Sequence, residues 1–243
     1  MPKIEIAPYD IVRSIGISMN AFLDSFINSG DKTCVKWSPY FDAYEKHLSK
    51  YRQKSPFVLE IGVSKGGSLR FWSEVFGKES KIVGIDILEE CKDHSDHEKN
   101  IYVEIGNGRS AEFMSKIFDT YGYPDIVIDD GDHNSQSMRQ SLFNIWPYLK
   151  DNGIYIVEDL HGIYWQSKEN WDVSFFQTLS DEVTGLNAPG SRGHAKQTKL
   201  SDTLSSISFF WSLAILEKST KLKPPQALGS QNGQISVVNT VNI

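Results

Sequence analysis

Cysteine is nearly missing from the 243 residues: only Cys34 and Cys91 occur, in no CxxC arrangement. That scarcity excludes a disulfide framework and offers no zinc knuckle, so both are expected as reduced thiols. No apolar run approaches the ~20 residues that a membrane span requires. The opening Met1-Pro2-Lys3-Ile4-Glu5 lacks the basic-then-apolar order of a secretory signal, so a soluble, cytoplasmic chain is expected. Positive charge is also short, with 25 Lys+Arg against 31 Asp+Glu and a formal net charge of −6. Binding driven by phosphate neutralisation wants the opposite sign, so nucleic acid is not an expected partner. What remains is ordinary globular composition, 40% hydrophobic and 23% charged, enough for one sizeable core.

Ile11, Ile15, Met19, Phe22, Leu23 and Phe26 recur at three- and four-residue steps until Asn28-Ser29-Gly30-Asp31 ends the pattern, which predicts one amphipathic helix. It reads as a cap on the domain's own core, with a dimer-forming face, and hence a homo-oligomer, as the alternative. Tyr40, Tyr44, Leu48 and Tyr51 predict a second helix over residues 39–52. From Pro56 onward, short β-branched runs at 57–62, 81–86, 101–104, 125–130 and 153–159 alternate with helical stretches at 69–76, 111–121 and 137–149. That alternation predicts an α/β fold, a mostly parallel sheet with helices on both faces. A helix over 171–183, a long polar loop over 186–202 that could act as a lid, and two final strands within 206–218 follow. The expected division is a helical cap over 1–55, a sheet domain over 56–223 and a weakly ordered tail over 224–243.

Ligands of such sheets sit at the carboxyl ends of the strands, so the residues ending each strand carry the functional reading. The first strand runs into Glu60-Ile61-Gly62-Val63-Ser64-Lys65-Gly66-Gly67-Ser68, whose glycine spacing is not the G-x-G-x-x-G of a pyrophosphate site. Asp86 ends the second strand, where a carboxylate can accept from ribose hydroxyls. Acid, glycine turn and second-strand acid together suggest a nucleoside without a phosphate, S-adenosylmethionine first, with Glu60 favouring its ammonium. The competing reading is a tight turn that serves packing alone. Asp129-Asp130-Gly131-Asp132-His133 and Glu158-Asp159-Leu160-His161 end the fourth and fifth strands. If those strands are neighbours, their carboxylates crowd one edge, and a cation relieves the repulsion. Asp130, Glu158 and Asp159 form an all-oxygen set suited to Mg²⁺ or another hard divalent ion. Solvated acids capping the next helices are the alternative. Cys91, His94 and His97 compete as softer ligands, but their polar surroundings read as solvated surface.

Glu60-Ile61-Gly62 with Gly66-Gly67, Gly84-Ile85-Asp86-Ile87, Ile128-Asp129-Asp130-Gly131-Asp132-His133 and Glu158-Asp159-Leu160-His161-Gly162-Ile163-Tyr164-Trp165 resemble the metal-dependent sugar O-methyltransferases typified by the macrocin and mycinamicin enzymes. The resemblance implies a class I, Rossmann-like methyltransferase fold over 56–223, seven strands with the last antiparallel, behind the N-terminal helical cap. It implies S-adenosylmethionine as methyl donor, Mg²⁺ on Asp130, Glu158 and Asp159, and a general base at His133 or Asp132 with His161 nearby. The cofactor set is then Glu60, Gly62, Ser64, Gly66, Gly67, Ser68, Asp86, Gly106, Asn107 and Asp129. A small-molecule or glycan acceptor would meet Tyr164, Trp165 and Trp171, with Arg192 and His194 on the long loop. A nicotinamide oxidoreductase, a cephalosporin-modifying enzyme and a catalytically silent cofactor-binding subunit are the other readings.

Overall fold

The structure is a computed structural model that describes residues 12, 16–30, 32–165, 171–188, 191, 193–220, 227–231 and 234–238. The β-branched runs form β1 (Phe57–Ile61), β2 (Lys81–Asp86), β3 (Ile101–Ile105), β4 (Ile126–Asp129) and β5 (Ile154–Val157), followed by β6 (Leu204–Phe210) and β7 (Leu213–Lys218). They make one seven-stranded sheet in the order β3-β2-β1-β4-β5-β7-β6. Strands β1 to β5 run parallel, and β7 lies antiparallel between β5 and β6. This is the expected mostly parallel sheet.

Among the described residues the helices that cover it are α1 (Ala21–Ile27), α2 (Ser38–Leu48), α3 (Gly67–Phe76), α4 (Ala111–Tyr121), α5 (Ser135–Ile145) and α6 (Ser174–Leu186). Because successive strand residues point to opposite faces, Val58, Ile126, Ile128, Ile154 and Ile156 join the core beneath α1 to α3, while Leu59, Val127, Tyr155 and Val157 join the one beneath α4 to α6. Strands buried on both faces explain why their sequences are continuously apolar. The N-terminal helices share this core, since Phe22, Tyr40, Tyr44 and Leu48 are fully buried. Phe22 meets Tyr44 and Phe76 at 6.0 and 6.1 Å between ring centroids, and Tyr44 meets Trp72 at 5.2 Å. At about 1.5–3 kcal/mol for each large apolar side chain buried, the cap is integral to the domain.

Several boundaries differ from expectation. The helix expected through Phe26 is interrupted: Val12 is helical, but Gly16 has φ 72° and extended Asn20 accepts the Leu23 amide as the N-cap of a new helix from Ala21; residues 11 and 13–15 lie outside the described residues. The second helix tightens after Leu48 into a 3-10 turn, Ser49–Tyr51. The helix expected from residue 171 begins at Ser174, whose amide is held by Asp172 Oδ1 at 2.9 Å. Within the expected tail, β8 (Ala227–Gln231) pairs antiparallel with β9 (Gln234–Val238). Residues 91–97 are not plain solvated surface: Cys91 is buried under 3-10 turns and its thiol is pushed up to about 11 by that burial. Both cysteines are free thiols. Among the described residues, no helix is long and apolar enough to cross a membrane.

Candidate active site

From β1 the chain steps outward to β2 and β3, then returns beside β1 to build β4 and β5 on the other side. The order reverses between β1 and β4, and a crevice opens there at the carboxyl ends. A cavity of about 350 Å³ occupies it. Of the expected cofactor residues, Gly62, Ser64, Asp86, Gly106, Asn107 and Asp129 line this cavity, together with Asp130 and Asp132. Asp86 Oδ2 accepts the amides of Val63 (2.8 Å) and Ser64 (3.1 Å), and Oδ1 accepts that of Leu88 (3.0 Å). Burial opposes its ionisation, but these amides outweigh burial and hold the carboxyl below its ordinary range. Ile87 and Leu88, which the sequence reading passed over as site residues, remain exposed and form an apolar part of the wall. Asp129 is buried, receives Tyr155 Oη at 3.1 Å, and is pushed up to about 7 by desolvation.

Glu60, Gly66, Gly67 and Ser68 lie outside that wall. Glu60 is fully buried behind it, accepting Ser68 Oγ at 2.9 Å and Trp72 Nε1 at 3.3 Å, and burial pushes it up to about 7. A Cβ on Gly67 would sit 2.1 Å from the Thr33 carbonyl oxygen, so this glycine makes room for the segment leading to α2. Gly62 is different: its φ is 93° and an added Cβ would lie 2.1 Å from the Asp130 carbonyl oxygen, at the switch point itself. Gly62→Ala should therefore lose several kcal/mol of stability through backbone strain and the clash; an unfolding midpoint in urea within 0.5 M of wild type would contradict this close approach.

Parallel pairing of β4 with β5 brings their acidic ends together, with Asp129 opposite Val157. Asp130, His133 and Asp159 each offer a ligand atom, and these atoms all lie within 4.8 Å of one another. His133 Nε2 is 3.9 Å from Asp159 Oδ2, and His133 Nδ1 is buried with no hydrogen-bond partner. Both residues have positive φ, 54° and 53°, a backbone strain that recurs at functional sites. Gly162 leaves space for His133, since a Cβ there would come within 2.5 Å of the imidazole's own Cβ. Asp132 lines the cavity but is not part of this trio: Oδ1 accepts the Asn134 amide at 3.1 Å and Oδ2 accepts Ser137 Oγ at 2.7 Å, at the start of α5.

Glu158 is separated from this trio by a residue that the sequence reading missed. Lys36 Nζ lies 2.5 Å from Glu158 Oε2 and 2.7 Å from Asp130 Oδ2, with only 2% of its side chain exposed. Burial alone would discharge this ammonium, but the carboxylates of Asp130 and Glu158 hold its pKa well above the usual value. The other Glu158 oxygen accepts Tyr44 Oη at 2.5 Å. Tyr40 Oη donates to Asp159 Oδ1 at 2.8 Å and accepts the Asp159 amide at 3.0 Å. Lys36, Tyr40 and Tyr44 follow one another at four-residue steps on and just before α2, so one helix face reads the acidic edge of the sheet. That spacing was the available signal. The donor set accordingly suits a hard divalent ion at Asp130 and Asp159, beside His133, while both Glu158 oxygens are already engaged.

Around the acids stand the remaining expected residues. His161 pairs through Nδ1 with Ser212 Oγ, and Trp165 lies 5.3 Å from the His133 ring. Tyr164 packs on Trp171 at 4.9 Å and Phe176 at 6.3 Å. His194 is exposed in a turn closed by its amide on the Ser191 carbonyl at 3.1 Å. Arg192 lies outside the described residues.

Residues 59–160 match a family described as Methyltransferase domain. The chain is 39% identical over 129 residues to a mycinamicin VI 2''-O-methyltransferase of Micromonospora griseorubida, an alignment that covers 50% of this chain and 31% of that one. It is 30% identical over 199 residues to an 8-demethyl-8-alpha-L-rhamnosyl tetracenomycin-C 2'-O-methyltransferase of Streptomyces olivaceus, covering 75% and 51%. These are relatives of the kind that the motifs resemble, and the chain spans at most about half the length of the curated relatives it matches. Among solved structures, the MycE methyltransferase from the mycinamycin biosynthetic pathway, in complex with Mg and SAH, matches with TM-score 0.71 and 24% identity over 86% of this chain and 57% of that one. That likeness concerns the fold, the class I methyltransferase sheet.

Proposed function

Carrying a methyltransferase domain over residues 59–160, the chain is, we propose, an S-adenosylmethionine-dependent O-methyltransferase acting on a hydroxyl of a sugar or glycosylated small molecule with a divalent cation, Mg²⁺ first. The observation that carries this reading is that Asp130 belongs to two places at once, the wall of the switch-point cavity and the Asp130–His133–Asp159 cluster. Methyl donor and acceptor hydroxyl would meet at that shared residue. The names of the relatives, which act on mycinamicin and on a rhamnosyl tetracenomycin, point to a glycosylated acceptor. They favour methyl transfer over the nicotinamide, cephalosporin-modifying and silent-subunit readings.

Asp86 has lone pairs left for the ribose hydroxyls beyond its three amide donors, and Ile87 and Leu88 offer an apolar surface to the purine. Asp130 and Asp159 would hold the cation. A bound divalent ion lowers the pKa of a coordinated hydroxyl, as it does for water. Tyr40 fixes Asp159 through two hydrogen bonds, and Lys36 with Tyr44 fixes Glu158 behind the pair. His133, whose Nε2 lies 3.9 Å from Asp159 Oδ2, would take the acceptor's proton on that nitrogen. Asp132 suits this role less, because its hydrogen bonds from the Asn134 amide and Ser137 Oγ hold it toward the start of α5. The departing sulfur changes from cationic to neutral, so no residue has to protonate it. Holding the two reactants in register, without solvent between them, supplies much of the remaining rate.

Titration calorimetry with S-adenosylhomocysteine and Mg²⁺ tests the reading. Saturable binding at one site per chain is expected, and no heat at millimolar ligand would overturn it.

A further inference from the structure

Three tryptophans and a histidine from distant parts of the chain meet on one wall beside Asp130, His133 and Asp159. Trp37 immediately precedes α2, His161 and Trp165 belong to the 3-10 turn after β5 and its end, and Trp211 opens the turn between β6 and β7. Ring centroids lie 4.7 Å apart for Trp37–Trp211, 5.4 Å for Trp37–His161, 5.5 Å for His161–Trp211 and 5.4 Å for His161–Trp165. Trp165 continues the wall to His133 at 5.3 Å. Despite these contacts, Trp37, Trp165 and Trp211 stay 44%, 65% and 51% exposed. Contiguous exposed apolar surface of this kind marks a binding face rather than idle surface.

The wall is also anchored. Ser212, next to Trp211, accepts the His161 amide on Oγ at 2.9 Å and the Leu160 amide on its carbonyl at 3.0 Å, and that carbonyl lies 3.0 Å from Tyr40 Oη. Tyr40 in turn holds Asp159. The aromatic rings and the acids are thus tied to the same few groups, a preorganised arrangement that lowers the ordering cost of binding.

Its shape narrows the occupant. Four of the five ring contacts cross at 62–85°, and His161–Trp211 is tilted by 34°, so none of these contacting pairs forms a parallel slot for a flat ring. An angled trough suits a puckered ring that lays C–H bonds on the aromatic faces and turns its hydroxyls to the polar rim of Asp130, His133 and Asp159. We infer that Trp37, His161, Trp165 and Trp211 form the acceptor subsite, and that it takes a pyranose ring bearing two adjacent hydroxyls. The inference rests on the proposed methyltransferase reading and adds where, and by which face, the sugar is held.

The test uses the full chain with S-adenosylhomocysteine and Mg²⁺, with methyl α-L-rhamnopyranoside as probe. Saturation-transfer NMR should show transfer concentrated on the ring C–H protons. The Trp37→Ala/Trp211→Ala variant should weaken rhamnoside binding at least tenfold, while calorimetric affinity for S-adenosylhomocysteine stays within threefold of wild type. Trp37→Phe/Trp211→Phe, which keeps flat faces, should recover most of the binding. An unchanged rhamnoside signal in the alanine variant overturns the subsite. So does a wild-type protein that binds the cofactor product but shows transfer to catechol, a flat vicinal diol, and none to the rhamnoside; the methyltransferase reading would survive both results. Failure of wild type to bind S-adenosylhomocysteine removes that reading and the subsite with it.

Discussion

Lys36→Met is expected to cost about 3–5 kcal/mol of folding stability, the range for removing one partner of a buried ion pair. In a domain of this size that corresponds to a fall in the thermal midpoint of roughly 6–20 °C. Methionine is close to lysine in volume, so the loss would come from charge rather than a cavity. Lys36 stands 2.5 Å from Glu158 Oε2, and Glu158 is itself 1% exposed, so the orphaned carboxylate has no water to turn to. Asp130, the second partner, is 23% exposed and can rehydrate in part. Glu158 should therefore account for most of the effect. The double variant Lys36→Met/Glu158→Gln, which removes both charges and leaves a group able to accept from Tyr44, should recover at least about 1 kcal/mol relative to Lys36→Met alone. Urea unfolding of the four proteins closes the cycle. A single variant within 1 kcal/mol of wild type, or a double variant worse than the single, would mean that Lys36 does not neutralise Glu158.

That dependence marks the boundary of what was legible in the sequence. The sheet could be read because each strand is a short apolar run with its own punctuation, and because strand-end acids on neighbouring parallel strands must come together: Asp130 and Asp159 are adjacent for that reason. The contribution of α2 could not be read the same way. Lys36 is 94 residues from Asp130 and 122 from Glu158, and no local pattern reports on pairings that distant. Tyr40 and Tyr44 were visible only as an apolar helix face, whereas their hydroxyls reach the acids. Glu158 reads as a metal ligand from its place at the end of β5, because register fixes where a carboxylate starts and not which partners it finds. Gly66 and Gly67 show the converse. Their turn looks like a ligand loop, yet added Cβ atoms would strike His94 and the Thr33 carbonyl rather than anything in the cavity.

The same α2 contacts tie the acidic edge to the packing of the cap. Tyr40 and Tyr44 are fully buried in the core shared with α3 and also hydrogen-bonded to Asp159 and Glu158. Burial of their rings positions the hydroxyls, and the hydroxyls position the acids, so packing of the cap and geometry of the acidic edge are one cooperative unit. Substitutions that loosen the cap should disturb Asp159 before they disturb the cofactor cavity, whose expected purine wall at Ile87 and Leu88 lies on the β2 side.

His133→Asn is expected to lower methyl transfer to methyl α-L-rhamnopyranoside by about 10²–10⁴-fold, the range for losing a positioned proton acceptor. Asparagine is chosen because it tolerates the left-handed backbone that His133 adopts at φ 54°, so backbone strain does not confuse the result. His133 does not line the switch-point cavity proposed for the cofactor, and affinity for S-adenosylhomocysteine should stay within about threefold. Asp132→Asn is the matched control. It weakens the two hydrogen bonds that Asp132 makes to Asn134 and Ser137, at about 1 kcal/mol of stability, and should keep the turnover rate within about fivefold at saturating cofactor. Rates come from labelled methyl transfer and affinities from calorimetry on the same preparations. The reverse pattern, with Asp132→Asn inactive and His133→Asn near wild type, would move the proton acceptor to Asp132. It would also mean that Asp132 accepts the proton on a lone pair left beside its hydrogen bonds from Asn134 and Ser137.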